Sequence, residues 1–210
     1  MNGRSAATRT TRWIPTWKQA LVAFGLAAIL LLLNDLCFFE SVLIPSSSMN
    51  PTILPGERIF LRKLPRPAFK RFDLVAIDSH KLGRRIAKRI IALPGERVRV
   101  ENGWQVVVNR RRFSYSDEDL RHERVESGDH AIRLAKPERS VVETKFAKQD
   151  LLLGPDEYFV LGDNRLSSDD SRTIGPVTRS QIQGTLGLIW YSFDPRQHKL
   201  RTDRFFQMAR

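Results

Sequence analysis

Arg84-Arg85-Ile86-Ala87-Lys88-Arg89-Ile90-Ile91-Ala92, followed at once by Leu93-Pro94-Gly95-Glu96, is the stretch on which the fold turns. Charged and aliphatic residues alternate through it and the Pro-Gly pair stops it, the pattern of a strand ended by a turn. Immediately beyond, Arg97-Val98-Arg99-Val100 and Gln105-Val106-Val107-Val108 flank Asn102-Gly103, which predicts a hairpin with a two-residue loop. Upstream, Glu57-Arg58-Ile59-Phe60-Leu61-Arg62 and Asp73-Leu74-Val75-Ala76-Ile77 are short runs rich in β-formers. Downstream, Glu157-Tyr158-Phe159-Val160-Leu161 and Gly187-Leu188-Ile189-Trp190-Tyr191-Ser192-Phe193 read the same way. Residues 114–150 are polar and weakly patterned, and they predict a small subdomain inserted between two halves of a core. So many short strands with turn punctuation predict a mainly β domain over residues 40–210, barrel-like or sandwich-like.

Chain length and composition set the bounds. The 210 residues suffice for one medium domain plus a membrane segment, and a hydrophobic share of 41% excludes wholesale disorder. The formal net charge of +12 calls for an acidic partner. Its basic residues are scattered as pairs and triplets such as Arg110-Arg111-Arg112, without zinc-finger spacing, a recognition-helix pattern or an aromatic ribonucleoprotein motif. Anionic lipid headgroups are therefore the expected counter-charge, and nucleic acid is not. Cys37 is the single cysteine, so an internal disulfide and a multi-cysteine metal site are excluded. No cofactor and no metal are expected, and nothing in the pattern demands more than a monomer.

Residues 1–18 carry Arg4, Arg9, Arg12 and Lys18 and no carboxylate, which first appears at Asp35. The apolar run from Ala20 to Leu33 follows. Fourteen helical residues rise about 21 Å, short of the roughly 30 Å hydrocarbon core. Extension to residues 17–39 makes a span feasible, with Trp13 and Trp17 suited to the interface and the basic flank on the cytoplasmic side. The expected organisation is a cytoplasmic basic tail over 1–16, a single anchor over 17–39 and an extracytoplasmic domain beyond. A cleavable signal peptide is the rival. Asn34, Asp35 and the bulky Phe38-Phe39 stand where small residues would mark its cleavage site.

A few residues past that run comes Ile44-Pro45-Ser46-Ser47-Ser48-Met49-Asn50-Pro51-Thr52, a hydroxyl-rich, proline-stiffened segment. By itself it is as well read as an ordinary loop. A hydrolase without metal needs a nucleophile and a base. His80, His122, His130 and His198 sit in polar contexts, and no Gly-x-Ser-x-Gly elbow occurs. A lysine whose ammonium is disfavoured by burial is the other kind of base. Lys88 shares a strand face with Ile86 and Ile90, while Arg89 points to the opposite face. A lysine at a barrel rim would give the same pattern. A third segment, Gly162-Asp163-Asn164-Arg165-Leu166-Ser167-Ser168-Asp169-Asp170-Ser171-Arg172, carries more acids, hydroxyls and arginines than a self-bonded turn requires.

In this order the three segments resemble the boxes of bacterial signal peptidase I, a Ser/Lys endopeptidase family. Pro45 to Thr52 resembles its serine box and Arg71-Phe72-Asp73-Leu74-Val75 its strand box. Lys88-Arg89-Ile90-Ile91-Ala92-Leu93-Pro94-Gly95-Glu96 resembles its lysine box, and Gly162 to Arg172 its last box. The likeness covers most of residues 40–205. It implies a signal-peptidase-like β catalytic domain behind one N-terminal transmembrane helix, acting on the signal peptides of preproteins after a small-x-small motif. By resemblance Ser48 is the nucleophile and Lys88 the general base. Ser46 supports the oxyanion, Ser168 orients Lys88, and Asp170 and Arg172 brace the loop. Val42, Ile44, Met49, Ile53, Ile86 and Ala87 map onto its shallow substrate pockets. Trp190 and residues 199–204 are expected near the lipid surface. Phe72, Ala92, Glu96 and Leu166 depart from the family pattern and place local turn geometry in question. The alternatives are a conjugative-transfer pilin-processing peptidase of the same superfamily and a non-catalytic, basic, membrane-tethered binding module.

Overall fold

The computed structural model describes residues 17–63, 69–115, 122–125, 128–132 and 150–209. The basic tail expected over 1–16 and most of the insertion expected over 114–150 lie outside the described residues. The chain divides into two units, Met1–Cys37 and Phe38–Arg210. All but the last residue of α1 (Trp17–Phe38) falls in the first, with Leu21, Val22, Phe24, Leu26 and Ile29 exposed. Among the described residues, no helix is both long and apolar enough to cross a membrane.

The second unit is mainly β. Its strands are β1 (Phe39–Ile44), β2 (Glu57–Arg62), β3 (Leu74–Ser79), β4 (Arg84–Ala92), β5 (Arg97–Glu101), β6 (Gln105–Val108), β7 (Arg111–Arg112) and β8 (Ser114–Tyr115). They continue as β9 (His122–Val125), β10 (Gly128–Ala131), β11 (Leu151–Leu152), β12 (Glu157–Leu161), β13 (Val177–Thr178), β14 (Ile182–Asp194), β15 (Lys199–Leu200) and β16 (Gln207–Met208). A short α-helix, α2 (Ser171–Ile174), and two 3-10 turns, Arg179–Gln181 and Thr202–Arg204, interrupt them.

The main sheet runs β1-β2-β14-β3-β4-β12-β13, with β15 and β16 also pairing β14. Its pairings are antiparallel. The two ends of this order, β1 and β13, do not pair, so the expected barrel is not closed. The separate sheet β11-β5-β6-β7 and the small sheet β10-β9-β8 complete the described strands. The late strand expected over 187–193 extends to Ile182–Asp194. It bends at irregularities against β2 and β3, which lets one long strand pair with both. The hairpin at Asn102-Gly103 forms, with both residues left-handed, but Glu101 pairs with Gln105, so three residues rather than two connect its ends.

From Ile86 onward β4 is buried on both faces apart from the partly covered Ala87, so its charged residues interrupt what would otherwise be a continuous apolar run. Ile86 and Ile90 join a core cluster with Val75, Ile77, Tyr158 and Val160. Ile91 and Ala92 join a second with Val98, Val106, Phe113 and Phe159. A third gathers Met49, Ile53, Ile59, Leu61, Leu74 and Ile189. Two registers matter for function: Lys88 lies opposite Val75 in β3, and Arg89 opposite Leu161 in β12. The residue after Leu161 is Gly162, so the last acid-rich segment leaves the sheet beside Lys88.

Candidate active site

Lys88 is 2% exposed, set between Ile86 and Ile90 on its strand face. Its Nζ donates to the Ser48 Oγ at 2.9 Å and to the Ala87 carbonyl at 3.0 Å. Loss of solvation is the dominant influence on its proton affinity. The charges of Asp170, Asp169 and Asp163 oppose this and Arg84 reinforces it, leaving the Lys88 pKa pushed down to about 8. No carboxylate touches the amine among its hydrogen bonds. The pair is thus a hydroxyl in contact with an amine that burial makes easier to deprotonate than an ordinary lysine.

Ser48 is presented by a turn that starts at Ile44, where β1 ends. The Asn50 N–H donates to the Ser47 carbonyl at 3.1 Å and the Ile53 N–H to the Met49 carbonyl at 3.0 Å. The Ser46 hydroxyl accepts from the Ser48 N–H at 3.1 Å, the two-residue side-chain-to-backbone bond typical of serine turns. The two groups expected to face an oxyanion side by side therefore bond to each other in this arrangement. Freeing the Ser48 N–H takes only a rotation of the Ser46 side chain.

The segment after β12 holds the turn from the other side. The Asn164 N–H donates to the Ser48 carbonyl at 3.0 Å, and the Asn164 Nδ2 to the Ser47 carbonyl at 3.2 Å. Gly162 is required here by space alone. A Cβ on it would lie 2.2 Å from the Ser168 Oγ and 2.5 Å from the Ser48 carbonyl oxygen. Ser168 is buried, and its Oγ has no hydrogen-bond partner among the described residues, so the bond to Lys88 that the resemblance implies is not formed here. Asp170 and Arg172 form a buried fork, Nε to Oδ1 at 2.8 Å and Nη2 to Oδ2 at 2.7 Å. Asp170 also accepts from the Gly162 N–H at 3.0 Å and caps α2 through the Arg172 N–H. Burial drives the Asp170 pKa upward, but the charge and hydrogen bonds of Arg172 outweigh it and hold the carboxyl below its ordinary value.

Several residues that complete the site were absent from the sequence-based set. Arg89 forms a second buried fork to Asp163, at 2.9 and 2.7 Å, and donates to the Phe72 carbonyl at 3.0 Å. Thr52 donates to the same Asp163, tying the Ser48 turn to that fork. Arg165, 1% exposed, donates to the carbonyls of Gly162 and Trp104, and Arg172 also reaches the Gly103 carbonyl. The turn of the β5/β6 hairpin is thereby docked on the acid-rich segment. Glu57, fully buried, accepts from Arg204 at 2.8 and 3.1 Å, from Ser192 at 3.0 Å and from the Leu54 N–H at 2.9 Å. Asp163, Asn164 and Arg165 stood in the quoted motif, where their density was the available signal. The distant Arg204 gave none.

A cavity of about 460 Å³ opens at the pair, lined by Val42, Ile44, Ile86, Ala87 and, beyond expectation, Leu186 and Leu166. Met49 and Ile53, expected in substrate pockets, do not line it. Both are fully buried in the third core cluster, because the turn aims them inward beneath Ser48. The departures from the family pattern are accommodated locally. Phe72 adopts φ of 69°, as a glycine would, and stacks edge-on against Phe113 at 6.0 Å. Glu96 accepts both from Arg71, at 2.7 and 2.9 Å, and from the Leu93 N–H at 2.8 Å, closing the Pro94-Gly95 turn. Trp190 stacks on Phe60 at 6.0 Å and donates its indole N–H to Ser41. Among the described residues no group of His, Cys, Asp and Glu is arranged to hold a metal ion.

Comparison with known proteins identifies a family. The family described as signal peptidase, peptidase S26 matches residues 17–191. Signal peptidase I U of Bacillus subtilis (strain 168) is 32% identical over 203 residues, covering 95% of this chain and 100% of that protein. Signal peptidase I P of Bacillus subtilis subsp. natto is 30% identical, covering 87% of this chain and 91% of the relative. A crystal structure of a signal peptidase I from Enterococcus faecalis V583 matches with 32% identity and a TM-score of 0.40, over 58% of this chain and 99% of that one. The chain belongs to the signal peptidase family, peptidase S26.

Proposed function

We propose that the protein is a membrane-anchored serine endopeptidase that removes signal peptides from exported preproteins, with Ser48 as nucleophile and Lys88 as general base. The observation that carries this reading is the 2.9 Å contact between the Ser48 hydroxyl and a buried lysine whose pKa is lowered to about 8. Neutral Lys88 takes the Ser48 proton as the oxygen attacks the scissile carbonyl. The resulting ammonium returns that proton to the departing amine, leaving an ester on Ser48 and neutral Lys88. Water, deprotonated by Lys88, then hydrolyses the ester and restores Ser48.

In the tetrahedral intermediate the Ser48 N–H and the Ser46 hydroxyl donate to the oxyanion once Ser46 turns away from that N–H. Ser168 gives its unpartnered hydroxyl to Lys88 as the amine moves between Ser48 and substrate, and the Asp170/Arg172 fork keeps its loop in place. The aliphatic lining at Val42, Ile44, Ile86 and Ala87 admits small side chains, which supports cleavage after a small-x-small motif. Met49 and Ile53 support this lining from the core rather than touching substrate.

The 17–39 segment serves as a single anchor with its N-terminus cytoplasmic and the β unit extracytoplasmic. The support is its basic flank, the exposed apolar residues of α1 and a 22-residue helical length that rises about 33 Å. The exposed Phe206 and Met208, with Trp190 and Tyr191 nearby in an aromatic series, give this unit an apolar surface suited to lipid contact. The protein acts as a monomer in this reading. The test is cleavage, by the full chain in detergent, of a preprotein with Ala-x-Ala before the cut. Product formation by the native protein and none by Ser48→Ala is expected, and processing by Ser48→Ala at the native rate would refute the assignment.

A further inference from the structure

The sheet β11-β5-β6-β7 lies outside the catalytic machinery except for its Gly103 and Trp104 carbonyls, and one of its faces has an unusual composition. Strand register places Leu152 beside Arg97, Arg99 beside Val107, and Val107 beside Arg112. Arg97 and Arg99 alternate with buried Val98 and Val100, so the arginines share the outer face with Leu152 and Arg112. Leu152 is 58% exposed. The acidic groups on this face are Glu101, paired with Arg99 at 2.7 Å and with Arg112, and Asp150, 3.7 Å from Arg97. These are exposed pairs of the kind that exchange readily for other anions.

The turn joining β6 to β7 is the second observation. Val108 pairs with Arg111, so Asn109 and Arg110 form a two-residue loop with φ of 49° and 66°. Asn-Gly is the sequence that such a turn favours. A side chain at the second position is strained, yet the position holds an exposed arginine that makes no hydrogen bond or ion pair among the described residues. An exposed arginine held in a strained turn, unbonded among the described residues, is available for an external contact.

We propose that this face, Arg97, Arg99, Arg110 and Arg112 around Leu152, is a docking surface for anionic phospholipid headgroups. Guanidinium groups bind phosphate through paired hydrogen bonds, which accounts for arginine at each of these positions. An exposed leucine amid arginines matches the interfacial combination of an apolar insertion with basic attraction, and a soluble polyanion would gain nothing from it. The inference rests on the reading that the β unit works beside a membrane. It adds a second anchoring surface that orients that unit independently of cleavage.

The test uses the full chain carrying Cys37→Ser and Leu152→Cys, labelled at position 152 with an environment-sensitive fluorophore and reconstituted into vesicles. The lipid is phosphatidylcholine alone or phosphatidylcholine mixed with phosphatidylglycerol. A blue shift and quenching by nitroxide-bearing lipid are expected in the mixed vesicles alone. Each arginine removed should lower the equilibrium constant for docking about fivefold. Arg110→Glu with Arg112→Glu should therefore abolish the signal. Arg110→Gly, which relieves the left-handed strain, should stabilise the turn and still weaken the signal. Preprotein cleavage in detergent by these variants should match the native chain, which separates failure of this surface from failure of the peptidase reading. An equal response in both lipids, a response to soluble polyphosphate in place of phosphatidylglycerol vesicles, or an Arg110→Gly signal equal to native would each overturn the proposal.

Discussion

Lys88 and Arg89 are adjacent in β4, each 2% exposed, and they meet opposite chemical fates. Arg89 enters the interior with a complete set of acceptors: both oxygens of Asp163, the Thr52 hydroxyl and the Phe72 carbonyl. Its charge is fully compensated, and it ties β4 to the Ser48 turn. Lys88 enters on the other face with a hydroxyl and one carbonyl, while the nearest carboxylates are engaged elsewhere, Asp170 by Arg172. Its charge is under-compensated, so burial lowers its proton affinity. In the proposed mechanism one residue of strand register separates a brace from a base, and what distinguishes them is the local supply of carboxylate oxygens.

The comparison breaks most visibly if either partner is exchanged. Lys88→Arg keeps the charge but cannot release a proton, and Ser48→Ala removes the hydroxyl proposed as nucleophile. Each should lower preprotein cleavage by at least about a thousandfold while leaving far-ultraviolet circular dichroism unchanged. On the opposite face, Asp163→Asn leaves the Arg89 charge buried without a counter-ion. It should cost about 3 to 5 kcal/mol in denaturant unfolding. Arg89→Lys, which keeps a charge opposite Asp163 but not the fork, should cost less. If Asp163→Asn unfolds like the native chain, Arg89 is not a brace.

Proton linkage sharpens the same contrast with a smaller effect. The folded-state pKa of Lys88 lies below its ordinary value, so the unfolded chain binds more protons between about pH 8 and the usual lysine range. The Lys88 contribution to stability therefore rises through that interval, by about 3 kcal/mol at most, and a Lys88→Met variant should lack the rise. Cleavage should accelerate as pH passes about 8. A rate flat from neutral to alkaline pH would remove Lys88 from the role of base. The smallest expected change is at Phe72→Gly, where release of left-handed strain offsets loss of the Phe113 contact, leaving net stability within about 1 kcal/mol of native.

Strand positions were legible in the sequence because alternation and turn residues are local signals. The strands over 57–62, 84–92, 105–108 and 157–161 occur with the expected bounds. Closure of the sheet was not legible, since it depends on whether two remote ends pair. The proximity of Ser48 and Lys88 came from resemblance rather than periodicity, which alone fits a rim lysine equally well. Met49 and Ile53 were misplaced because an apolar residue beside a nucleophile serves a pocket or a core with the same side chain. Arg204 was invisible for a different reason. Its acceptors, the Glu57 carboxylate and the Thr52 carbonyl, lie about 150 residues earlier, at separations of 147 and 152 positions. No pattern along the chain connects them.

The docking of Arg165 and Arg172 on the hairpin turn uses the main-chain oxygens of Trp104 and Gly103. Such acceptors are present whatever side chain the turn carries, so the contact imposes geometry without imposing identity. The hairpin tip can therefore drift in sequence while its length stays fixed. A single inserted residue there should disturb the acid-rich segment more than replacement of Trp104 would.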